Sequence, residues 1–271
     1  MTKYGMLIDL ESCTGCKACM TACKANNNIP FGEYEGREYY RIWPMEAERG
    51  TYPYVIRNIT PMLCMQCQDP PCLKTCPIPG AIYRREDGIV LVDEVKCDGC
   101  KVCIPACPYG ALYFRKDRNI VDKCTLCVAS IEQGGLPECV KTCPCDAMFF
   151  GDVTDPESRV SQLIKEWQAK PLNSEFGTNP LVYYTPHAAR LRGTVVNQKT
   201  GQVVRGASVT LQTEKDAPSA VTDSEGVFFF WNLGVGGAYS ATITAEGFIP
   251  SIRKLHINED YTDLGNIMIS P

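Results

Sequence analysis

Long apolar runs are missing from this chain. The longest obvious one, residues 227–231 (VFFFW), falls far short of the roughly 18 residues that a bilayer-crossing helix needs, so no spanning segment is expected. The opening stretch MTKYGMLIDLES has neither the basic start nor the apolar core of an export signal. Histidine is nearly absent. His187 and His256 are the only two, and neither has neighbours that would make it a base or a ligand, which excludes an iron–sulfur centre built on paired histidines. No basic stripe is present, and the net charge of −4 is spread evenly along the chain, so nucleic acid is not an expected partner. Cysteine is absent after Cys145, although 17 occur up to that point.

That density suits a disulfide scaffold or a set of metal centres. The odd total, the repeated C-x2-C spacing and the lack of a signal favour metal. Cys97, Cys100, Cys103 and Cys107, followed by Pro108, form a C-x2-C-x2-C-x3-C-P run. This is the bacterial ferredoxin spacing, in which three close thiolates wrap one face of a [4Fe–4S] cube and the fourth ligates a neighbouring cube. Such a run needs a partner, and the chain contains three more. Cys13, Cys16, Cys19 and Cys23 repeat the spacing; Cys64, Cys67, Cys72 and Cys76 carry a Pro70-Pro71 insertion; Cys124, Cys127, Cys139 and Cys143 carry an insertion at residues 128–138. The hairpin expected over 81–93, with Asp87-Gly88 as a two-residue turn, joins the second run to the third as one two-cluster unit, leaving the first and fourth to pair. Four [4Fe–4S] clusters are therefore expected on Cys13, Cys16, Cys19 and Cys143; on Cys124, Cys127, Cys139 and Cys23; on Cys64, Cys67, Cys72 and Cys107; and on Cys97, Cys100, Cys103 and Cys76. Cys145 is left over, as an alternative ligand, a reactive thiol or a small buried residue near a cluster.

Zinc also uses C-x2-C pairs, but it requires neither the third cysteine nor the C-P ending. The C-x3-C-x2-C run of radical S-adenosylmethionine chemistry is absent. Clusters with four cysteine ligands each leave no iron open to substrate, so the expected function is electron transfer without catalysis, as a subunit, a free-standing polyferredoxin carrier or a redox sensor. Lys17, Lys74, Lys101 and Lys141 lie within the runs, as solvated surface charges or as modulators of potential. Gly15 and Gly99 allow either a tight turn or close approach of backbone to a cluster.

The pattern strand, acid, cysteine run, strand recurs: Ile8-Asp9, Val92-Asp93 and Val121-Asp122 each lead into a run, which marks internal duplication. Residues 24–63, rich in aromatics and arginine but with little periodicity, are expected to be a long connection, serving as a partner contact or as a cover over the clusters. The expected organisation is α+β: a duplicated ferredoxin-like domain with insertions at 1–152, a helix and linker at 153–187 with Asp155 as helix cap, and an all-β sandwich at 188–271. Strands in the sandwich are expected over 191–196, 207–212, 227–231, 239–244, 249–256 and 264–269.

The four runs resemble the iron–sulfur subunit of the dimethyl-sulfoxide-reductase family of molybdenum or tungsten enzymes. The resemblance implies a large molybdopterin catalytic subunit as partner, carrying a Mo/W-bis-pterin guanine dinucleotide and a further cluster. It also implies a membrane anchor or soluble carrier, with the first/fourth-run module facing the catalytic subunit. Cytoplasmic location is expected, with co-export beside a signal-bearing partner as the alternative. The segments GTVVNQKTGQVVRGASVTL, TDSEGVFFF and ITAEGF resemble a carboxypeptidase-regulatory-like (transthyretin-like) sandwich. The order of the two modules is similar to that in small subunits of the family's transhydroxylases, which implies a hydroxylated aromatic substrate for the complex.

Overall fold

The strand Tyr4–Ile8 is apolar at consecutive positions, and Met6, Leu7 and Ile8 are fully buried. A strand covered on both faces reads this way, and it is the centre of a three-stranded sheet, with Met148–Asp152 antiparallel on one side and Val182–Tyr184 parallel on the other. In the computed structural model, which describes residues 1–213 and 216–271, this sheet lies in a first unit made of Met1–Ala47 and Asn58–Thr185. The second unit is Glu48–Arg57 with Pro186–Pro271.

Two short hairpins feed the cysteine runs of the first unit: Ile82–Arg84 with Val90–Val92, and Tyr113–Arg115 with Ile120–Asp122. The turn of the first is longer than the expected two residues. Arg84 pairs with Val90, and Arg85 N–H donates to the Ile89 carbonyl at 2.9 Å. The Asp87 carboxylate accepts from Ile89 N at 3.2 Å and from the Arg85 guanidinium, while Gly88 takes φ +87°. An aspartate bonded to the backbone two residues on stabilises a wider loop than an Asp-Gly pair alone.

Residues 24–63 also depart from expectation. They contain two ten-residue strands, Ile42–Thr51 and Tyr54–Leu63, paired as a hairpin. Pro44 and Pro61 break the sequence pattern, yet both strands are edges, where proline is tolerated. Tyr39 is buried and stacks on Tyr113 at 5.7 Å, which makes it core and not a contact surface. The hairpin tip belongs to the second unit, where Tyr54 stacks on Phe229 and its hydroxyl bonds the Asp223 carboxylate.

The helix after residue 152 is Arg159–Glu166, capped by the Ser158 hydroxyl, which accepts from Ser161 N at 3.2 Å. Asp155 is not the cap. It forms the preceding turn, accepting from Glu157 N at 3.0 Å, so Pro156 lies outside the helix. Val160 and Leu163 pack beneath the sheet against Leu7. The expected linker then returns to the sheet as Val182–Tyr184, because Val182 and Tyr184 are apolar enough to be buried there.

The sandwich has a three-stranded sheet, in the order Val227–Leu233, Ala189–Asn197, Tyr261–Ile269. Its four-stranded sheet runs Ser219–Val221, Ser208–Gln212, Gly237–Thr244, Ser251–Ile257. Every strand expected from the sequence occurs. Ser219–Val221 was not expected, being short, at an edge and largely exposed. Among the described residues no helix is long and apolar enough to cross a membrane.

Candidate metal centres

Each run starts where a strand ends, and before the first and third runs the acid after the strand turns the chain. Asp9 accepts from Glu11 N at 3.2 Å and Ser12 Oγ at 2.6 Å; Asp93 accepts from Val95 N at 3.0 Å and Lys96 N at 3.1 Å. The C-x2-C turn that follows uses left-handed backbone: Gly15 (φ +69°) and Lys17 (+64°), Gly99 (+74°) and Lys101 (+66°), Leu126 (+52°) and Cys127 (+53°). A Cβ on Gly15 would lie 2.4 Å from Ile59 Cδ1, and one on Gly99 2.5 Å from the Asn119 carbonyl oxygen. Both glycines are thus required by the turn and its packing. Successive amides in such turns can face a common anion. Here Leu126 N donates to Cys124 Sγ at 3.4 Å, Val121 N to Cys97 Sγ at 3.5 Å, and Ala147 N to Cys143 Sγ at 3.4 Å.

The third cysteine of each run sits in a helix: Cys19 in Ala18–Asn26, Cys72 in Pro71–Thr75, Cys103 in Cys103–Ala106 and Cys139 in Glu138–Lys141. Pro71, from the unusual insertion, occupies the first helical position, where its missing N–H costs nothing. Helix Ala18–Asn26 packs on Glu138–Lys141, and Pro71–Thr75 on Cys103–Ala106. First and fourth runs therefore meet, as do second and third.

The last cysteines cross over accordingly. Cys143 joins Cys13, Cys16 and Cys19 around a small cavity. Cys107 joins Cys64, Cys67 and Cys72 around another. Cys23 lies near Cys124, Cys127 and Cys139, and Cys76 and Cys97 both lie near Cys103, with Cys100 exposed in the same turn. All seventeen cysteines are free thiols. Cys145 shares the lining of the first cavity, with its sulfur 3.4 Å from Thr14 Oγ1.

Burial pushes these thiols up, and neighbouring sulfurs add to the effect: Cys19 to about 11, and Cys67, Cys72, Cys103 and Cys124 to about 12. Four thiolates at such a ring are tolerable only around a cationic core. A tetrahedral zinc, with Zn–S near about 2.3 Å, would need the sulfurs to converge on one point. Among the described residues no three His, Cys, Asp or Glu side chains do so. All-thiolate rings around cavities, with N–H groups aimed at sulfur, fit an iron–sulfur cube.

Two buried polar clusters beside the rings were not expected from the sequence. In one, Arg41 bonds Asp122 through Nε at 3.1 Å and Nη2 at 2.8 Å, Tyr113 donates to Asp122 at 2.7 Å, and Arg41 also reaches Asn27 at 2.7 Å. Burial opposes the Arg41 charge, but Asp122 outweighs it and holds the guanidinium protonated more firmly than usual. In the other, Gln66 takes Val90 N at 2.8 Å and donates to the Cys124 carbonyl at 3.0 Å, while Lys123 Nζ donates to the Val90 and Cys124 carbonyls. The only available signal was position, since Gln66 and Lys123 lie inside or next to runs. The lysines singled out within the runs find other partners: Lys17 with Glu46, Lys74 with Asp69, Lys141 with Glu138, and Lys101 with the Tyr34 hydroxyl.

Fold and rings together define a ferredoxin-like 4Fe-4S protein joined to a β-sandwich. Residues 55–153 match the family described as 4Fe-4S dicluster domain, residues 4–25 the 4Fe-4S binding domain, and residues 190–267 the carboxypeptidase regulatory-like domain. The chain is 39% identical to a subunit of the tetrathionate reductase of Salmonella typhimurium, over 67% of this chain and 72% of that one. It is 41% identical to a subunit of the sulfite dehydrogenase of Allochromatium vinosum (69% and 84%) and 36% identical to one of the chains of polysulfide reductase from Wolinella succinogenes (68% and 95%). The chain belongs to the iron–sulfur electron-transfer subunits of the molybdopterin oxidoreductases, the dimethyl-sulfoxide-reductase family.

Proposed function

We propose that the paired cysteines hold four [4Fe–4S] clusters in the four sets described, and that the chain relays electrons between a molybdopterin catalytic subunit and a second redox partner. A bound [4Fe–4S] cluster supplies one-electron storage and release, tuned by net charge, hydrogen bonds to sulfur and exposure. This chain's part is to hold the sulfurs, keep water away and set the charge around them.

The observation that carries the reading is the order of the sets. Cys19 of the first set lies near Cys139 of the second; Cys124 of the second lies near Cys64 of the third; Cys72 of the third lies near Cys103 of the fourth. Neighbouring in this order, the sets would run from the first to the fourth. The two exposed cysteines, Cys16 and Cys100, lie in the two end sets; Cys23, Cys124, Cys139, Cys64, Cys67 and Cys72 in the middle are buried and Cys107 and Cys127 half-buried, while Cys103 at the fourth set is buried as well. Exposed ends and insulated middle positions suit entry at one end and exit at the other. The matching helix pairs and left-handed turns support a duplicated ferredoxin-like module with insertions. The first/fourth-run module would face the catalytic subunit and its Mo/W-bis-pterin guanine dinucleotide, with a further cluster there. The opposite end would serve a membrane anchor or soluble carrier.

A more specific reading comes from the sandwich. The match of residues 190–267 to the carboxypeptidase regulatory-like domain, in this order after the cysteine runs, supports a transhydroxylase-like complex acting on a hydroxylated aromatic. The test is anaerobic purification of the native complex, with iron, sulfide, molybdenum and tungsten counted. Turnover is then assayed with polyhydroxybenzenes against tetrathionate, sulfite and polysulfide. A chain that purifies alone, or with iron for only one or two cubes, would sink the relay. Turnover of the sulfur compounds alone would remove the aromatic substrate and leave the relay standing.

A further inference from the structure

Lys123 is only 1% exposed and ranks among the largest fully buried side chains. Its backbone lies between Asp122 and the ring cysteine Cys124. The Nζ donates to the Cys124 carbonyl at 3.0 Å and to the carbonyl of Val90, and Val90 lines the cavity ringed by Cys64, Cys67, Cys72 and Cys107. The ammonium therefore bridges a member of the second set and the wall of the third. Burying an ammonium is costly unless a counter-charge is near. The adjacent Asp122 carboxylate is already engaged by Arg41 and Tyr113, and the groups that hold Lys123 are neutral carbonyls.

Arg41 offers the contrast. It also lies near a ring cysteine, Cys23, but it is paired directly with a carboxylate, Asp122. The lysines within the runs are largely surface groups, so salt and water screen them. Lys123, held by two neutral carbonyls between the second and third sets, is a buried cation whose field is left to act on the sulfurs. We propose that Lys123 is the residue that sets the potentials of the two inner sites: its charge favours the form carrying the extra electron and so raises both inner potentials, leaving the outer two unaffected. No bond forms or breaks and no proton moves in this role; the charge stays in place while an electron arrives and leaves. The proposal rests on the four-cluster reading above.

The test uses the anaerobically purified complex with Lys123→Met, which keeps the length and removes the charge, and Lys123→Arg, which keeps the charge. Iron is counted on each protein, and the four midpoint potentials are followed by electron paramagnetic resonance during redox titration. The expected result is a fall of two potentials in Lys123→Met, with the other two unchanged and all four restored in Lys123→Arg. Unmoved potentials, or an equal fall of all four, overturn the proposal. Should Lys123→Met fail to accumulate, Lys123→Arg decides: wild-type potentials support the role of charge, and a fall of the inner two despite the retained charge overturns it. A wild-type iron count short of four clusters removes the underlying reading, whereas a full count with unmoved potentials removes this proposal alone.

Discussion

In the sandwich, the strand Ala189–Asn197 runs nine residues and pairs along its length with Val227–Leu233 and Tyr261–Ile269. Ala189, Leu191 and Val195 on it are fully buried against Val209, Leu211, Ile243 and Ile257. In the cysteine-bearing unit, the strands of the two hairpins that feed the cysteine runs are three residues long and two of the ring-bearing helices only four. Its core includes the cysteines themselves: Cys23, Cys64, Cys67, Cys124 and Cys139 pack in one cluster, Cys72 and Cys103 in another. Elements this short do not hold themselves together. One unit is closed by hydrocarbon burial, the other around groups that it must bind.

The largest expected effect follows from that contrast. Anaerobic removal of iron with a chelator and reductant should collapse the cysteine unit and spare the sandwich, because metal-site binding energy is folding energy in such domains. Limited proteolysis would show cleavage throughout residues 1–47 and 58–185 and a surviving C-terminal fragment. A cysteine unit that keeps its protection without iron would break the comparison.

How much of this was legible beforehand follows the same division. The 4Fe-4S character of the cysteine runs could be read from spacing, since ligand geometry at a cube fixes sequence spacing locally. The strands of the sandwich could be read because alternation and Gly-rich turns are local as well. The hairpin of residues 42–63 could not: Pro44, Gly50 and Pro61 suppress the strand signal, and only pairing with each other makes strands of these segments. Nor could the roles of Gln66, Lys123 and Arg41 be read. A buried polar group looks like a surface one until the distant residues that meet it, here Val90 for Gln66 and Lys123 and Asp122 for Arg41, are in place.

The next effect concerns the buried ion pair of the cysteine unit. Arg41 and Asp122 are both nearly inaccessible, with side chains 9% and 7% exposed. Asp122→Ala would leave the guanidinium without its carboxylate and should cost about 3–5 kcal/mol. Thermal bleaching of the loaded protein should occur at clearly lower temperature, with the sandwich unaffected. The contrasting change is Gly193→Ala. A Cβ there would sit 2.6 Å from Phe228 Cζ and 2.8 Å from its Cε1, so the fully buried ring must move, at a cost of about 1–3 kcal/mol. This variant should lower the stability of the sandwich and leave iron content and bleaching temperature unchanged. Loss of iron in Gly193→Ala would show that the two units do not stand independently.

The smallest effect is expected at Cys145, and it asks how far a fifth thiol at a ring matters. The side chain is half-buried and lines the same cavity as Cys13, Cys16, Cys19 and Cys143. Its sulfur is 3.4 Å from Thr14 Oγ1, a contact that a serine hydroxyl can replace as a hydrogen bond. Cys143 has what the run spacing demands: it ends its run, Pro144 follows it, and Ala147 N donates to its sulfur at 3.4 Å. Cys145→Ser should therefore leave iron count, stability and the potential of that site unchanged, whereas Cys143→Ser should lose or alter one cluster. If the two variants lost iron equally, the ring would be closed by Cys145 as much as by Cys143, and the sharp division between ligand and bystander at this end of the line would fail.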